Sequence, residues 1–252
     1  TEKETFLLHM EKFYVPERIV VGVGGNFDED KMLSKIKEYF EEKKNTQNPI
    51  KAVPVPFKKC VTLEKRSFEQ THLMLSFPGI PVDHEDLFPL QLCMFILGTG
   101  SSSRLNQRIR EQLGLVYSVD AFLARYLGGG YIAVSMSLSP KGQKKALEET
   151  CKIIREFPES ITKKELSTAK EKLISSLIMS REQPHSKVSS MGQSLLILSK
   201  FIDDDEIIER ISAVTENQIK DAAKRYLDLK KASFTAVGKT EKKEFYEKII
   251  EG

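Results

Sequence analysis

Residues 98–119 read GTGSSSRLNQRIREQLGLVYSV, and the fold turns on how this stretch divides. Gly98 to Ser103 is a loop rich in glycine and serine, with several candidate helix N-caps. Leu105, Ile109 and Leu113 then recur at every fourth position, which predicts a short helix stopped by Gly114. From Leu115 to Leu123 the pattern alternates, so a strand is expected with Leu115, Tyr117, Val119 and Ala121 on one face. Gly128-Gly129-Gly130 turns the chain into a partner strand that buries Ile132, Val134, Met136 and Leu138.

Working outward, Val61 to Arg66 and His72 to Phe77 read as strands, and Pro78-Gly79 and Pro81 lead into a helix from about Asp83 to Leu97. The second half of that helix is apolar nearly all round, the mark of a core helix. Downstream, Ser139-Pro140 opens a helix to about Phe157, and Thr162-Lys163-Lys164-Glu165 is a capping box for a long helix to about Ser180. Helices follow at 186–200, 204–212 and 215–227, then a strand Ala232 to Val237, Gly238 and a terminal helix. At the other end, Thr1-Glu2-Lys3-Glu4 caps a helix that Pro16 stops, and Ile19 to Val23 reads as a buried strand ending at Gly24-Gly25. Asp28 starts a helix with Met32, Leu33, Ile36, Tyr39 and Phe40 on its inner face, and residues 43–56, with three prolines, read as a linker.

The two ends match each other. Thr1-Glu2 pairs with Thr215-Glu216, and Val23-Gly24 with Val237-Gly238, at one constant spacing and in the same order of elements. Internal duplication is the reading adopted: 1–42 as the C-terminal remnant of a first homologous domain, 43–56 as linker, and 57–252 as a whole second domain.

Composition narrows the function. Lys plus Arg (39) nearly balance Asp plus Glu (36) and the signs interleave, so neither nucleic acid nor an anionic membrane is indicated as partner. No apolar run approaches the ~20 residues of a membrane span. Cys60, Cys93 and Cys151 are an odd number without C-x-x-C spacing, which argues against a disulfide framework and for a reducing compartment, taken as the cytoplasm.

His9, His72, His84 and His185 lie far apart, and none sits in H-E-x-x-H or H-x-x-E-H, so the chain offers no zinc motif. There is no G-x-S-x-G elbow. Gly22-Val23-Gly24-Gly25 stands between a strand and a helix as a dinucleotide fingerprint does, but Phe27 falls where the third glycine belongs; it reads as a turn, with nucleotide binding as the outside alternative. Gly98-Thr99-Gly100 lacks the G-K-[ST] ending. Arg110 lies off the Leu105/Ile109/Leu113 stripe, and Tyr117 follows seven residues on. Together they can bind a peptide carbonyl or carboxylate; equally they can be a solvated arginine and a half-buried tyrosine.

The pattern G-x-G-x-x-S-R-L-x-x-x-I-R-E-x-x-G-L-x-Y-S-V, Gly98 to Val119, resembles the second domain of insulinase/pitrilysin-type zinc peptidases, the inverzincins that include mitochondrial processing peptidase and bacterial zinc proteases. Phe13 to Gly25 is similar to the end of that family's first domain. The resemblance implies an α+β fold, an antiparallel sheet packed against a layer of helices. It implies two such halves closing around an unfolded peptide. Zinc sits in the half that carries H-x-x-E-H, outside this chain, so no metal is expected here. The opposing half supplies an arginine and a tyrosine, at the spacing of Arg110 and Tyr117, to orient substrate and stabilise the oxyanion. Gly98, Gly100 and Ser103 align with its substrate-handling loop. The expected partners are a peptide or unfolded polypeptide and a zinc-bearing domain or homologous subunit, as homo- or heterodimer. The alternative is a non-catalytic structural subunit.

Overall fold

The computed structural model describes residues 2–41 and 52–252. Its helices are α1 (Lys3–Phe13), α2 (Glu29–Phe40), α3 (Leu87–Leu97), α4 (Gln143–Ser160), α5 (Lys163–Arg181), α6 (Pro184–Leu198), α7 (Asp204–Ala213), α8 (Glu216–Tyr226) and α9 (Lys243–Glu251). Its strands are β1 (Val61–Lys65), β2 (Thr71–Pro78), β3 (Ser118–Tyr126), β4 (Gly129–Leu138) and β5 (Ser233–Gly238). Contacts divide the chain into two compact units, one of residues up to Ala52 with Ser175–Ile207, the other of Val53–Ile174 with Ile208–Gly252.

The larger unit holds one five-stranded sheet in the order β1-β5-β2-β4-β3. Every neighbouring pair is antiparallel except the edge pair β1–β5. Alternation fixes which side meets the helices. Leu73, Leu75 and Phe77 of β2 are buried with Ile132, Val134, Met136 and Leu138 of β4 and Phe234 and Ala236 of β5. The side chains between them, such as His72, Met74 and Ser76, are exposed or partly so. Helix α3 supplies Leu90, Leu92, Cys93, Ile96 and Leu97 to the same core. Each large apolar side chain buried in this way contributes about 1.5–3 kcal/mol. The fold is α+β.

Three boundaries differ from the pattern. Helix α3 starts at Leu87 rather than near Asp83, because Pro89 has no N–H and is accommodated only in a first turn. Asp83 to Asp86 instead form a turn, in which the Asp86 N–H donates to His84 Nδ1 at 3.0 Å and the Leu87 N–H to the His84 carbonyl at 3.2 Å. Strand β3 begins at Ser118, not Leu115, for a reason that belongs to the site below. Ile19 to Val23, expected as a buried strand, pairs with no strand among the described residues, and Val21 and Val23 are exposed.

In the smaller unit a Cβ added at Gly22 or Gly24 would run into the Val188 side chain of α6. Two glycines two positions apart on an extended segment share a face. They therefore let the chain approach α6 closely, which accounts for the glycines without a phosphate. Helices α1 and α2 bury none of their residues, and Leu33 and Tyr39, expected on the inner face of α2, are exposed. Thr1 of the expected capping box and linker residues 43–51 lie outside the described residues. At the linker's end, the Val55 N–H donates to the Gly128 carbonyl at 3.1 Å.

The order of elements recurs as the matching ends of the sequence suggest. Helix α1, a 3-10 turn at Pro16–Arg18, the extended residues 19–24 and α2 run in the same order as α8, a 3-10 turn at Leu229–Lys231, β5 and α9, while the positive-φ glycine falls on Gly25, one residue after the Gly24 that the sequence match pairs with Gly238.

Phe77 is fully buried on the central strand, so Phe77→Ala should cost about 3–5 kcal/mol. A thermal melt of the variant should show a drop of roughly 10 °C; an unchanged midpoint would contradict the assignment of this face as the core.

Candidate functional site

The stretch that decides the fold also builds the site. A glycine is required at 98: a Cβ there would fall on the Cβ and backbone nitrogen of Ala121 in β3. Gly100 is at φ +81°, a conformation that favours glycine, and its carbonyl accepts the Ser103 hydroxyl at 2.7 Å. Ser103 is buried, so its hydroxyl works inside the loop. Thr99 Oγ1 donates to the Ala121 carbonyl at 2.9 Å, a second tie between loop and strand.

The short helix is π-helical over Asn106–Gln112. Its last turn is wide: the Leu113 N–H reaches back to the Arg108 carbonyl at 3.2 Å, and the Leu115 N–H to the Ile109 carbonyl at 3.0 Å. Gly114, at φ +59°, makes this exit possible. Leu115 is thereby spent on closing the helix, and the expected alternation slips. Val116 is buried and Tyr117 is 59% exposed, while Val119 and Ala121 occupy the buried face as expected. The Tyr117 N–H donates to the Ser137 carbonyl at 2.8 Å, which fixes its backbone against β4.

The three arginines of the stretch have different fates. Arg104 grips Glu165 with Nε at 2.7 Å and Nη2 at 2.8 Å, and Ser160 with Nη1 at 2.6 Å. Arg108 bonds Glu149 and Gln112, both at 3.2 Å. Arg110 is exposed, and its ion pair is with the adjacent Glu111 at 4.0 Å. Its guanidinium and the Tyr117 phenol are thus left at the surface, one at each end of the Gly114 exit. The structure gathers Gly98, Gly100 and Ser103 into one hydrogen-bonded loop; Arg110 and Tyr117 are not part of that network.

Pattern reading passes over Asn106, which is buried and donates from Nδ2 to the carbonyls of Val119 at 3.0 Å and Gly98 at 3.3 Å and to Ser103 Oγ at 3.2 Å. A signal for it exists: an asparagine beside Leu105 in a helix, where asparagine competes poorly, implies a partner elsewhere.

Burial pushes the thiols of Cys93 and Cys151 up, the latter to about 12, so neither supplies a thiolate nucleophile. No three His, Cys, Asp or Glu side chains among the described residues converge as metal ligands. His84 Nδ1 is occupied by the Asp86 N–H, and His9, His72 and His185 lie on α1, β2 and α6. This donor set does not fit a zinc ion.

A family model described as peptidase M16 inactive domain matches residues 2–173. The chain belongs to the peptidase M16 family. The resemblance carried by Gly98 to Val119 is thus confirmed. Among curated relatives, the uncharacterized zinc protease YmxG of Bacillus subtilis is 30% identical over 220 residues, covering 86% of this chain and 53% of that protein. An uncharacterized zinc protease of Rickettsia felis is 30% identical over 224 residues, covering 88% and 54%. The chain therefore spans about half the length of the curated relatives it matches. The peptidase M16 inactive domain from Pseudomonas fluorescens superposes with a TM-score of 0.74 at 23% identity, covering 85% of this chain and 51% of that one. A chain of Complex III2 from Candida albicans, Inz-5 bound, superposes with a TM-score of 0.84 at 17% identity, covering 99% and 63%. Both likenesses are of fold. No helix among the described residues is long and apolar enough to cross a membrane.

Gly98→Ala should disorder the loop and lower the melting temperature, whereas Gly100→Ala, where a Cβ meets open space, should cost only its backbone strain; equal effects would contradict the close approach to Ala121. Acid should act on the Arg104–Glu165 pair. Burial pushes the Glu165 carboxyl up, but hydrogen bonds from Arg104 and Thr162 outweigh it and hold the group below its ordinary 4.5. A depressed carboxylate stabilises the fold above its unfolded pKa, and that contribution is lost as pH falls through the folded value. Stability should therefore decline below pH 4.5, and Glu165→Gln should flatten the decline. An unaltered acid profile in denaturant titrations would count against the pair.

Proposed function

We propose that this chain is the substrate-binding, non-zinc part of a zinc metalloendopeptidase that cleaves peptides or unfolded segments, and that it completes the active site opposite a zinc-bearing half. The observation that carries the reading is that Arg110, as exposed as Arg108, has its ion pair with the adjacent Glu111 and not with another helix. Arg104 and Arg108 are committed to Glu165, Ser160, Glu149 and Gln112, while Arg110 and Tyr117 face solvent on a rigid frame. A guanidinium presents forked donors to a peptide carbonyl, and a phenol adds one more. Donors held in place before substrate arrives stabilise a developing oxyanion without reorganisation cost. Zinc, with its Lewis acidity and activated water, belongs to the other half in this reading. The loop of Gly98, Gly100 and Ser103 serves as the wall that substrate passes.

The same reading assigns 1–42 to the sister domain and 57–252 to the second domain. The recurring element order supports it, as do the uncovered faces of α1 and α2. In this reading residues 19–24 correspond in element order to β5, which itself has a parallel and an antiparallel neighbour. The partner is then a homologous zinc-bearing domain or subunit, in a homo- or heterodimer, and the setting is the cytoplasm.

In the full-length protein, Arg110→Ala and Tyr117→Phe should each lower turnover roughly ten- to a thousand-fold, as loss of one oxyanion donor does. Unchanged turnover in both would remove the assigned roles. A second reading, a structural subunit without activity, is favoured by the TM-score of 0.84 to a Complex III2 chain. Full-length protein that binds a partner complex but cleaves no peptide would select it.

A further inference from the structure

Resting on the roles proposed for Arg110 and Tyr117, we infer that Asn106 is the positioning residue that sets their separation, by locking the π-helix to the edge of β3. Strand β3 is the last of the sheet, so among the described residues the main-chain groups on its outer side have no ladder partner. Two of those outward carbonyls, on Val119 and Ala121, are taken by side chains: Asn106 Nδ2 at 3.0 Å and Thr99 Oγ1 at 2.9 Å. Asn106 therefore does two things at once. It closes this stretch of the edge to an added strand, and it ties the helix that bears Arg110 to the strand that Tyr117 leads into.

The positions make the tie mechanically effective. Asn106 opens the π-helix four residues before Arg110, and its acceptor Val119 lies two residues after Tyr117. The same Nδ2 also reaches the Gly98 carbonyl at 3.3 Å and Ser103 Oγ at 3.2 Å, so loop, helix and strand meet at one amide. Between Arg110 and Tyr117 the covalent path runs through Gly114, the glycine at φ +59° and the most pliable link in the stretch. The amide crosses that link from one side to the other. A substrate chain at this end of the sheet is accordingly held by side chains, not by a ladder on Val119 and Ala121.

The test is a mutant cycle in the full-length protein, with kcat and KM for a quenched fluorescent peptide measured separately and the melting temperature recorded for each variant. Asn106→Leu keeps the bulk and removes the donors. It should lower kcat on the order of ten- to a hundred-fold, the effect of an ångström-scale displacement, with KM little changed. In an Arg110→Ala/Tyr117→Phe background the same substitution should lower kcat no further, because there is nothing left to position. An equal fold-loss in both backgrounds would overturn the proposal and leave Asn106 as a folding residue. If Asn106→Leu fails to fold, Asn106→Ser, smaller and still polar but too short to span to Val119, carries the same cycle. If the double variant itself retains full turnover, the roles of Arg110 and Tyr117 fail, and the positioning role falls with them.

Discussion

Strand β2 lies between β4 and β5 and shares an antiparallel ladder with each, so its eight residues are held on both sides along most of their length. That double pairing turns Leu73, Leu75 and Phe77 into the helix layer and fixes the register of β4. The register of β4 then fixes β3, whose Val119 and Ala121 sit opposite Met136 and Val134. Everything at the site hangs from β3: the Gly98 loop packs on Ala121, Asn106 bonds Val119, and Tyr117 enters it. A one-residue slip in β2 would turn the whole face outward.

Rigidity at this end of the sheet comes from polar groups that find partners locally. Arg104 clamps the start of α5 through Glu165, whose carboxylate also takes the Thr162 N–H at 2.9 Å in a capping box. Arg108 ties the π-helix to Glu149 of α4. These bonds hold the helix through Arg104 and Arg108 and leave Arg110 exposed. Of the three arginines in this stretch, Arg104 and Arg108 are tied to other helices, and Arg110 pairs with its neighbour Glu111.

Much of this architecture is legible in the order of the residues. The alternation of Ile132, Val134, Met136 and Leu138 and the Thr162–Glu165 capping box follow from local chemistry, and the folded chain has both. What periodicity misses has physical causes. A four-residue apolar repeat does not tell an α-turn from a π-turn, and the wide turn consumes Leu115, shifting Tyr117 from the buried face to the surface. Helix α3 begins late because of one proline. Residues 19–24 have the composition of a buried strand, yet a strand is a property of pairs, and its pairing partners are not encoded nearby. Asn106 escapes periodicity because a tertiary bond to Val119 leaves no periodic trace.

The central claim is that this chain holds one half of a divided active site. The most direct measurement compares it with the full-length protein, scoring zinc per chain and cleavage of a quenched fluorescent peptide. The account predicts one zinc and chelator-sensitive cleavage for the longer protein and neither for this chain. Chelator-sensitive peptidase activity from the pure 252-residue chain would contradict it.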